Sequence, residues 1–319
     1  MNMVDIISLG EMLVEIMRVK IDTPHSVIGE DYKGPYPSGA PVIFISSAAR
    51  MAKPYGMTTA FIGVVGNDGF GKGIVDALKR DGVNTAGIVY SKNHTGVAFN
   101  QYNSDGSRTF IFCAGAAGET NPGIVKEELF EGIKLLHIMG SALSISESSR
   151  DAVYKAIEIA LKKNPSVEIS LDPNLRLEML PIEQIIKICK PVVDVATIIL
   201  PSGEEAEMLA QKKGPIDACN HLFNIAPRLK VVVLKMGKKG AIAITKTEKI
   251  EVPGYKVQEI DATGAGDSFG GGFVVEYLKG KSLKECLTLA NAVGALKVTN
   301  FGPIPNHSRE FVEEFIKYK

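Results

Sequence analysis

The stretch DATGAGDSF, residues 261–269, sets three small residues, Gly264, Ala265 and Gly266, directly before a carboxylate, Asp267. Strand-like sequence runs up to Ile260, and an apolar helical pattern begins near Asp267. Consecutive small residues at a helix start let bare backbone N–H groups converge on one point, where the helix dipole also favours negative charge. A static anion held there would be repelled by Asp267. A transferring phosphoryl group escapes that conflict, because its developing charge meets the amides while the carboxylate takes a proton from the attacking hydroxyl. Two other readings stay open at this level: a glycine-rich segment before a helix also permits close packing, and Asp at a helix start also serves as an N-cap.

Elements of the right kind surround this stretch. Short, near-continuously apolar runs recur at 4–10, 58–66, 134–140, 167–172, 195–201 and 230–237, the pattern of strands covered on both faces. Between them, amphipathic spacing marks helices over Ile43–Lys53, Lys72–Arg80, Arg150–Lys163, Ile182–Cys189, Ser202–Leu209 and Ala218–Phe223. This β-α-β order predicts an α/β fold with a mainly parallel sheet wrapped by helices. The chain ends in helices over Phe269–Leu278, Leu283–Val298 and Arg309–Tyr318, the second opened by a capping box at Ser282 and Glu285. Two stretches break the alternation: 11–37 wanders after a strand-like start, and 95–113 reads as two alternating strands around a turn at Asp105-Gly106. Both read as antiparallel, which suggests a small sheet projecting as a lid; a hairpin that only packs is the plainer alternative.

Composition excludes several classes. The 319 residues are 45% hydrophobic and 23% charged, and 36 basic residues balance 36 acidic ones, so no global field draws nucleic acid or anionic lipid. The N-terminus carries acids at Asp5, Glu11 and Glu15 where a signal peptide would be apolar. No apolar run reaches ~18 residues, so no membrane span is expected. Cys113, Cys189, Cys219 and Cys286 lie far apart with no C-x-x-C pair, which points to buried core thiols in a reducing cytosol. Five scattered histidines, His25, His94, His137, His221 and His307, lack zinc-ligand spacing. A Walker A loop fails because Val275 stands where the GKS at 280–282 needs its first glycine, and LGEMLVE after the first strand lacks a dinucleotide fingerprint.

The chain resembles the ribokinase-like, or PfkB-type, carbohydrate kinases along its full length. DATGAGDSF matches that family's C-terminal signature, and SGAP (38–41), GVVGNDGFG (63–71), DGVNTAGI (81–88), DPNLR (172–176), SGEE (202–205), KMGKKGA (235–241) and VTNFGPIPN (298–306) follow in the family's order. The resemblance implies a three-layer sandwich with a mainly parallel central sheet plus a small antiparallel β lid. The body would be 1–10, 38–94 and 114–319, and the lid 11–37 and 95–113. It implies ATP with Mg2+ as phosphoryl donor, and a monovalent cation such as K+ beside Asp261 and Thr263, closed over by 299–306. By similarity Asp267 is the general base, and the amides of Ala265, Gly266 and Asp267 form the anion hole with Gly264 at its edge. Lys235 and Gly237 flank the triphosphate, Gly240 lets the backbone pass, Asn291 and Gly302 border adenine, and Glu205 organises hydrated magnesium. On the acceptor side the resemblance places Gly39 and Ala40 against hydroxyls, with Arg108 and Arg176 over the substrate. Asn174 either orients substrate or caps a turn, and Tyr102 either stacks on sugar or packs as core. Relatives that pair through the lid suggest a homodimer.

Three positions depart from the family pattern. Glu15 stands where an aspartate is usual, Phe44 replaces the asparagine of GAPxN and puts an apolar wall in reach of the sugar, and Ser202 replaces the first asparagine of N-x-x-E. Phosphoryl transfer survives these changes; the acceptor is what they put in question. The variant signature with DPNLR looks similar to kinases of fructose, tagatose and 2-keto-3-deoxygluconate, a neutral ketose ranking ahead of the sugar acid. A non-catalytic binding module on the same fold would require loss of the base or the anion hole, and both are present.

Overall fold

The structure is a computed structural model that describes residues 3–105, 107–304 and 306–319. Gly106 of the expected turn and Pro305 of the terminal segment lie outside the described residues. The chain opens with β1 (Ile6–Glu11), passes through Met12 into β2 (Leu13–Arg18), and returns along β3 (Tyr32–Ser38) to α1 (Ala40–Ala52). Next come β4 (Thr59–Gly66), α2 (Gly69–Asp81), β5 (Val83–Ser91), β6 (Gly96–Tyr102) and β7 (Arg108–Cys113). Strands and helices then alternate as β8 (Leu135–Met139), α3 (Gly140–Ser144), α4 (Glu147–Lys163), β9 (Glu168–Asp172), α5 (Ile182–Val193), β10 (Ile198–Ile199), α6 (Gly203–Ala210), α7 (Pro215–Ile225) and β11 (Val231–Lys235). A hairpin of β12 (Gly240–Ile244) and β13 (Lys249–Pro253) precedes α8 (Ala265–Leu278), α9 (Leu283–Val298) and α10 (Arg309–Tyr318).

Nine strands form the main sheet in the order β13-β12-β11-β10-β9-β8-β1-β4-β5, parallel except at the β11-β12-β13 edge. Alternation along each strand sends side chains to opposite faces. Ile7, Leu9, Leu136, Val232 and Leu234 join one core with α4, α5, α6 and α7, while Ile6, Leu135, Val231 and Val233 join the other with α1, α2, α8, α9 and α10. This is the three-layer α/β sandwich expected of the sequence. The run at 195–201 is shorter as a strand than expected: only Ile198–Ile199 pairs, because the chain turns out through Pro201 into the cap of α6.

The second sheet has the order β3-β2-β6-β7. β2 pairs antiparallel with β3, β6 pairs antiparallel with β7, and the two halves meet along a parallel β2-β6 seam. Both stretches that broke the alternation therefore converge on one sheet. One expectation about thiols is corrected: Cys113, at the end of the edge strand β7, is exposed, whereas Cys189, Cys219 and Cys286 are buried.

The helix after the small-residue stretch is apolar all round, as a helix enclosed on every side must be. Its run Gly270-Gly271-Gly272 lets it lie against α1 and α9. A Cβ on Gly271 would stand 2.7 Å from the Phe44 carbonyl oxygen and 2.8 Å from the Ala48 nitrogen, backbone atoms that cannot swing aside. Gly271→Val is expected to force α1 and α8 apart and lower stability by about 1–3 kcal/mol, the usual cost of overpacking. The urea unfolding midpoint measures it, and an unchanged midpoint would show that the helices are not in such close contact.

Candidate active site

The C-terminal ends of parallel strands are where α/β sheets gather functional groups, because the following loops and helix N-termini all open there. Glu11 ends β1, Asp172 ends β9 and Lys235 ends β11. Glu11 and Lys235 meet the first turn of α8 in a cleft of about 1090 Å³ between the two sheets, and the buried Asp172 holds Lys235 from behind. That volume sits at the upper end for small-molecule sites. Of the residues singled out in the sequence, Glu15, Gly39, Ala40, Arg108, Asn174, Arg176, Glu205, Lys235, Thr263, Gly264, Gly266 and Asp267 line this cleft.

The start of α8 is built for close approach. Gly264 has φ 77°, and a Cβ there would lie 2.3 Å from the Pro303 carbonyl oxygen, so no other residue fits. The Ala265 amide is spent on the Ala262 carbonyl at 3.2 Å, and the Ser268 amide on the Gly264 carbonyl at 2.9 Å. Among the described residues, the Gly266 and Asp267 amides donate to no protein acceptor. The anion-receiving set is thereby corrected from three amides to two, because Ala265 closes the turn with its own N–H.

Charge around these amides is balanced locally. Lys235 Nζ lies 2.5 Å from Asp172 Oδ2 and 3.6 Å from the point where a Gly266 Cβ would stand. Burial alone would lower the lysine, but the Asp172 and Glu205 carboxylates hold it above its ordinary value, so it stays an ammonium. Burial pushes the Asp267 carboxyl up to about 6, against the pull of Lys235 and Arg176. A carboxylate with that value is ionised at neutral pH and yet basic enough to accept a proton. Glu205 closes a capping box with Ser202, accepting from the Ser202 amide at 2.7 Å, and its other oxygen accepts from the Leu175 amide at 3.2 Å. Burial would raise it; the Lys235 charge and these amides bring it below the usual glutamate value. No cluster of three potential direct metal ligands occurs among the described residues.

At the other end of the cleft, Glu15 is held from both sides: Ser38 Oγ donates to Oε2 at 2.9 Å and Asn100 Nδ2 to Oε1 at 3.1 Å. Glu11 accepts from Ser141 Oγ at 2.7 Å, while its Oε2 has no protein donor. Burial raises both acids. Glu11 and Ser38 in the cleft lining, and Asp172 and Asn100 bonded to lining side chains from behind, are residues to which motif reading gave no role. Their signal was position alone, a carboxylate at the last residue of an otherwise apolar strand.

Other residues singled out in the sequence lie outside this cleft lining. Phe44 does not reach the cleft: it is fully buried with its ring stacked on His137, centroids 3.4 Å apart, because α1 turns it into the core. Tyr102 does not line it either: its hydroxyl donates to Asp261 Oδ1 and meets Thr263 Oγ1, both at 2.5 Å, so it ties β6 to the loop before α8. Asn291 donates to the Val252 and Pro253 carbonyls and anchors α9 to β13. The Gly302 amide donates to Asp261 Oδ2 at 2.8 Å, committing that glycine to the same loop. Gly237 and Gly240 flank the β11–β12 turn outside the cleft lining. Asp261 does not present its oxygens to an external ion. Lys297 Nζ donates to the Asp261 carbonyl at 2.7 Å and lies 3.5 Å from its Oδ2, both side chains fully buried, so a protein ammonium stands where K+ was expected. The residues present do not fit a monovalent ion.

A family model described as pfkB family carbohydrate kinase matches residues 46–309. The chain belongs to the PfkB family of carbohydrate kinases. "Probable fructokinase-5" of Arabidopsis thaliana is 35% identical over 318 residues, covering 94% of this chain and 93% of the relative. A ribokinase-like protein from E. coli, crystallised with ATP and Mg2+, superposes with TM-score 0.90 at 37% identity, covering 99% of this chain and all of the other. The 2-dehydro-3-deoxygluconokinase of Thermotoga maritima shares the fold, with TM-score 0.87 at 18% identity over 98% of this chain and 99% of its own. The cleft is therefore that of a sugar kinase. No helix among the described residues is long and apolar enough to cross a membrane.

In this kinase the placement of Phe44 has a measurable consequence. Phe44→Ala is expected to cost about 3–5 kcal/mol in chemical unfolding. The milder Phe44→Leu should leave KM for the acceptor sugar unchanged, and a raised KM without loss of stability would put the ring back in the sugar site.

Proposed function

We propose that the chain transfers the γ-phosphoryl group of ATP to a primary hydroxyl of a ketose, fructose foremost. The observation that carries this reading is the pairing of a raised, cleft-lining Asp267 with two unspent amides at the start of α8. Asp267 accepts the hydroxyl proton as the oxygen attacks in line. The Gly266 and Asp267 amides, the α8 dipole and the Lys235 ammonium meet the charge on the phosphoryl oxygens. Asp172 fixes Lys235 in place. Glu205 would hold Mg2+ through its waters, and the ion would supply positive charge beside the donor phosphates.

The acceptor end favours a neutral polyol. Glu11 and Glu15 offer carboxylate oxygens to hydroxyls, and Gly39 and Ala40 leave room beside them. The fructokinase relative supports the ketose. Arg108 and Arg176 in the same cleft support a second reading, a 2-keto sugar acid whose carboxylate they would hold. Residues 11–37 and 95–113 act as a lid on the body formed by 1–10, 38–94 and 114–319, excluding water when the acceptor is bound. The lid exposes Ile21 and Ile111, which supports pairing of two copies through it. The three buried thiols fit a reducing cytosol.

ADP release measured with fructose, tagatose, ribose and 2-keto-3-deoxygluconate tests the reading, with fructose expected to give the highest kcat/KM. Turnover of none of them would sink it. Arg176→Ala is expected to harm the sugar acid more than fructose, and equal losses would argue against carboxylate recognition. Asp267→Asn should lower kcat by about 10²–10⁴, the contribution of a positioned base. Since the ionised carboxylate is the active form, kcat/KM should be full above pH about 6 and fall as pH drops through that value. A pH profile flat down to pH 5 would remove Asp267 from the role.

A further inference from the structure

Among the lysines of the described residues, Lys297 alone is completely buried. It sits in the last turn of α9, one residue before the helix ends. Its ammonium donates to the Asp261 carbonyl at 2.7 Å and to the Asn300 carbonyl at 3.3 Å, and lies 3.5 Å from Asp261 Oδ2. Those oxygens come from the two loops that frame the start of α8. A lysine needed only to finish its helix would bond its own last carbonyls and leave its head in water. Lys297 instead spends its charge across the gap.

The rest of the node depends on that charge. Asp261 is fully buried at its side chain and accepts from the Thr263 amide at 2.8 Å, the Gly302 amide at 2.8 Å and the Tyr102 hydroxyl. Burial would raise this carboxyl, yet the Lys297 ammonium, the Tyr102 hydroxyl and the two amides hold it below the ordinary aspartate value. The other charges felt at Lys297 are Glu15 and Arg108. An ionised carboxylate in this position is stable only with a cation beside it. Three residues further on, the chain turns at Gly264 against the Pro303 carbonyl and presents the amides of Gly266 and Asp267 to the cleft.

We propose that the Lys297 ammonium is a built-in cation, standing where a monovalent ion would otherwise neutralise Asp261, and that it positions the loop that receives the phosphoryl group. The inference rests on the kinase reading for its kinetic arm. Lys297 is a positioning residue: it does not touch the cleft and acts through Asp261 and Gly264. Its consequence is an enzyme indifferent to K+, Na+ and NH4+.

Two measurements test this. In choline chloride against KCl at equal ionic strength, the wild-type protein is expected to show the same kcat and the same melting temperature. Stimulation of wild-type kcat by K+ of about 10-fold, worth about 1.4 kcal/mol, would overturn the proposal. Lys297→Ala in choline should lose about 10²-fold in kcat, the cost of a misplaced catalytic loop, with KM for ATP little changed. Adding K+ or NH4+ should restore a large part of kcat and raise the melting temperature of this variant alone, since an ion that binds only the folded state stabilises it. Lys297→Met, which fills the space without charge, should be rescued by neither. If Lys297→Ala does not fold, the wild-type comparison still decides. If no sugar is turned over by the wild type, the kinase reading fails on its own, and the cation-specific melting shift of Lys297→Ala continues to judge this proposal. A variant whose activity and melting ignore every cation would mark Lys297 as packing only.

Discussion

A negative group must be brought to bare amides beside a carboxylate, and everything near the start of α8 follows from that electrostatic constraint. Asp267 would repel an incoming phosphoryl group if it stood alone. Lys235, at the end of β11 and pinned to Asp172, supplies the opposing charge from one side, and the helix dipole adds to it along the axis. On the far side of the loop, Asp261 and Lys297 form a second pair that never meets the cleft. Two buried ion pairs therefore bracket one short loop, the first facing substrate and the second fixing backbone. Neither pair is evidence for great stability, since the cost of desolvating such charges offsets much of their attraction. Their value is geometric, because each allows a single arrangement of the groups it joins.

The fold that holds this loop was legible wherever apolar periodicity was strong. The inner strands β1, β4, β8, β9 and β11 read as strands because parallel sheets bury both faces and leave continuous apolar runs. β5 was visible only as part of a motif: it is an edge strand buried only at Val83 and Gly87, with Asn84 and Thr85 diluting its apolar pattern. β10 was overextended because Val195–Pro201 is apolar for reasons of burial, while the strand itself spans only Ile198 and Ile199. Burial and pairing leave the same trace in a sequence and separate only in space.

The site was legible where a motif carried it. Gly264, Gly266 and Asp267 were readable because backbone chemistry at a helix start demands small residues, a demand that shows in the letters. Glu11 and Asp172 were not, because a single acid at a strand end says nothing until the sheet order brings β1, β9 and β11 to one edge. Phe44 was misplaced because α1 turns Ile43 to the cleft and sends the next residue, about 100° further round the helix, over His137. Lys297 gave no signal at all. A lysine near a helix end reads as solvated and dipole-friendly, and only the approach of Asp261 from a segment 36 residues away turns it into a buried ion.

The second sheet enters this arrangement through two contacts. From β6, the Tyr102 hydroxyl donates to Asp261 and meets Thr263; from the start of β7, Arg108 Nη1 donates to Thr263 Oγ1 at 3.3 Å. Burial and the Asp261 charge raise the phenol far above its ordinary value, so it remains a donor at any working pH. Any displacement of β6 and β7 away from the body must break these contacts, and the loop they touch is the one that leads to Gly264. The position of the small sheet and the geometry of the amides are thus linked through Asp261, which has Lys297 on its other side. The tethered ammonium fixes the body side of this junction, which leaves the contacts of the small sheet as its variable part.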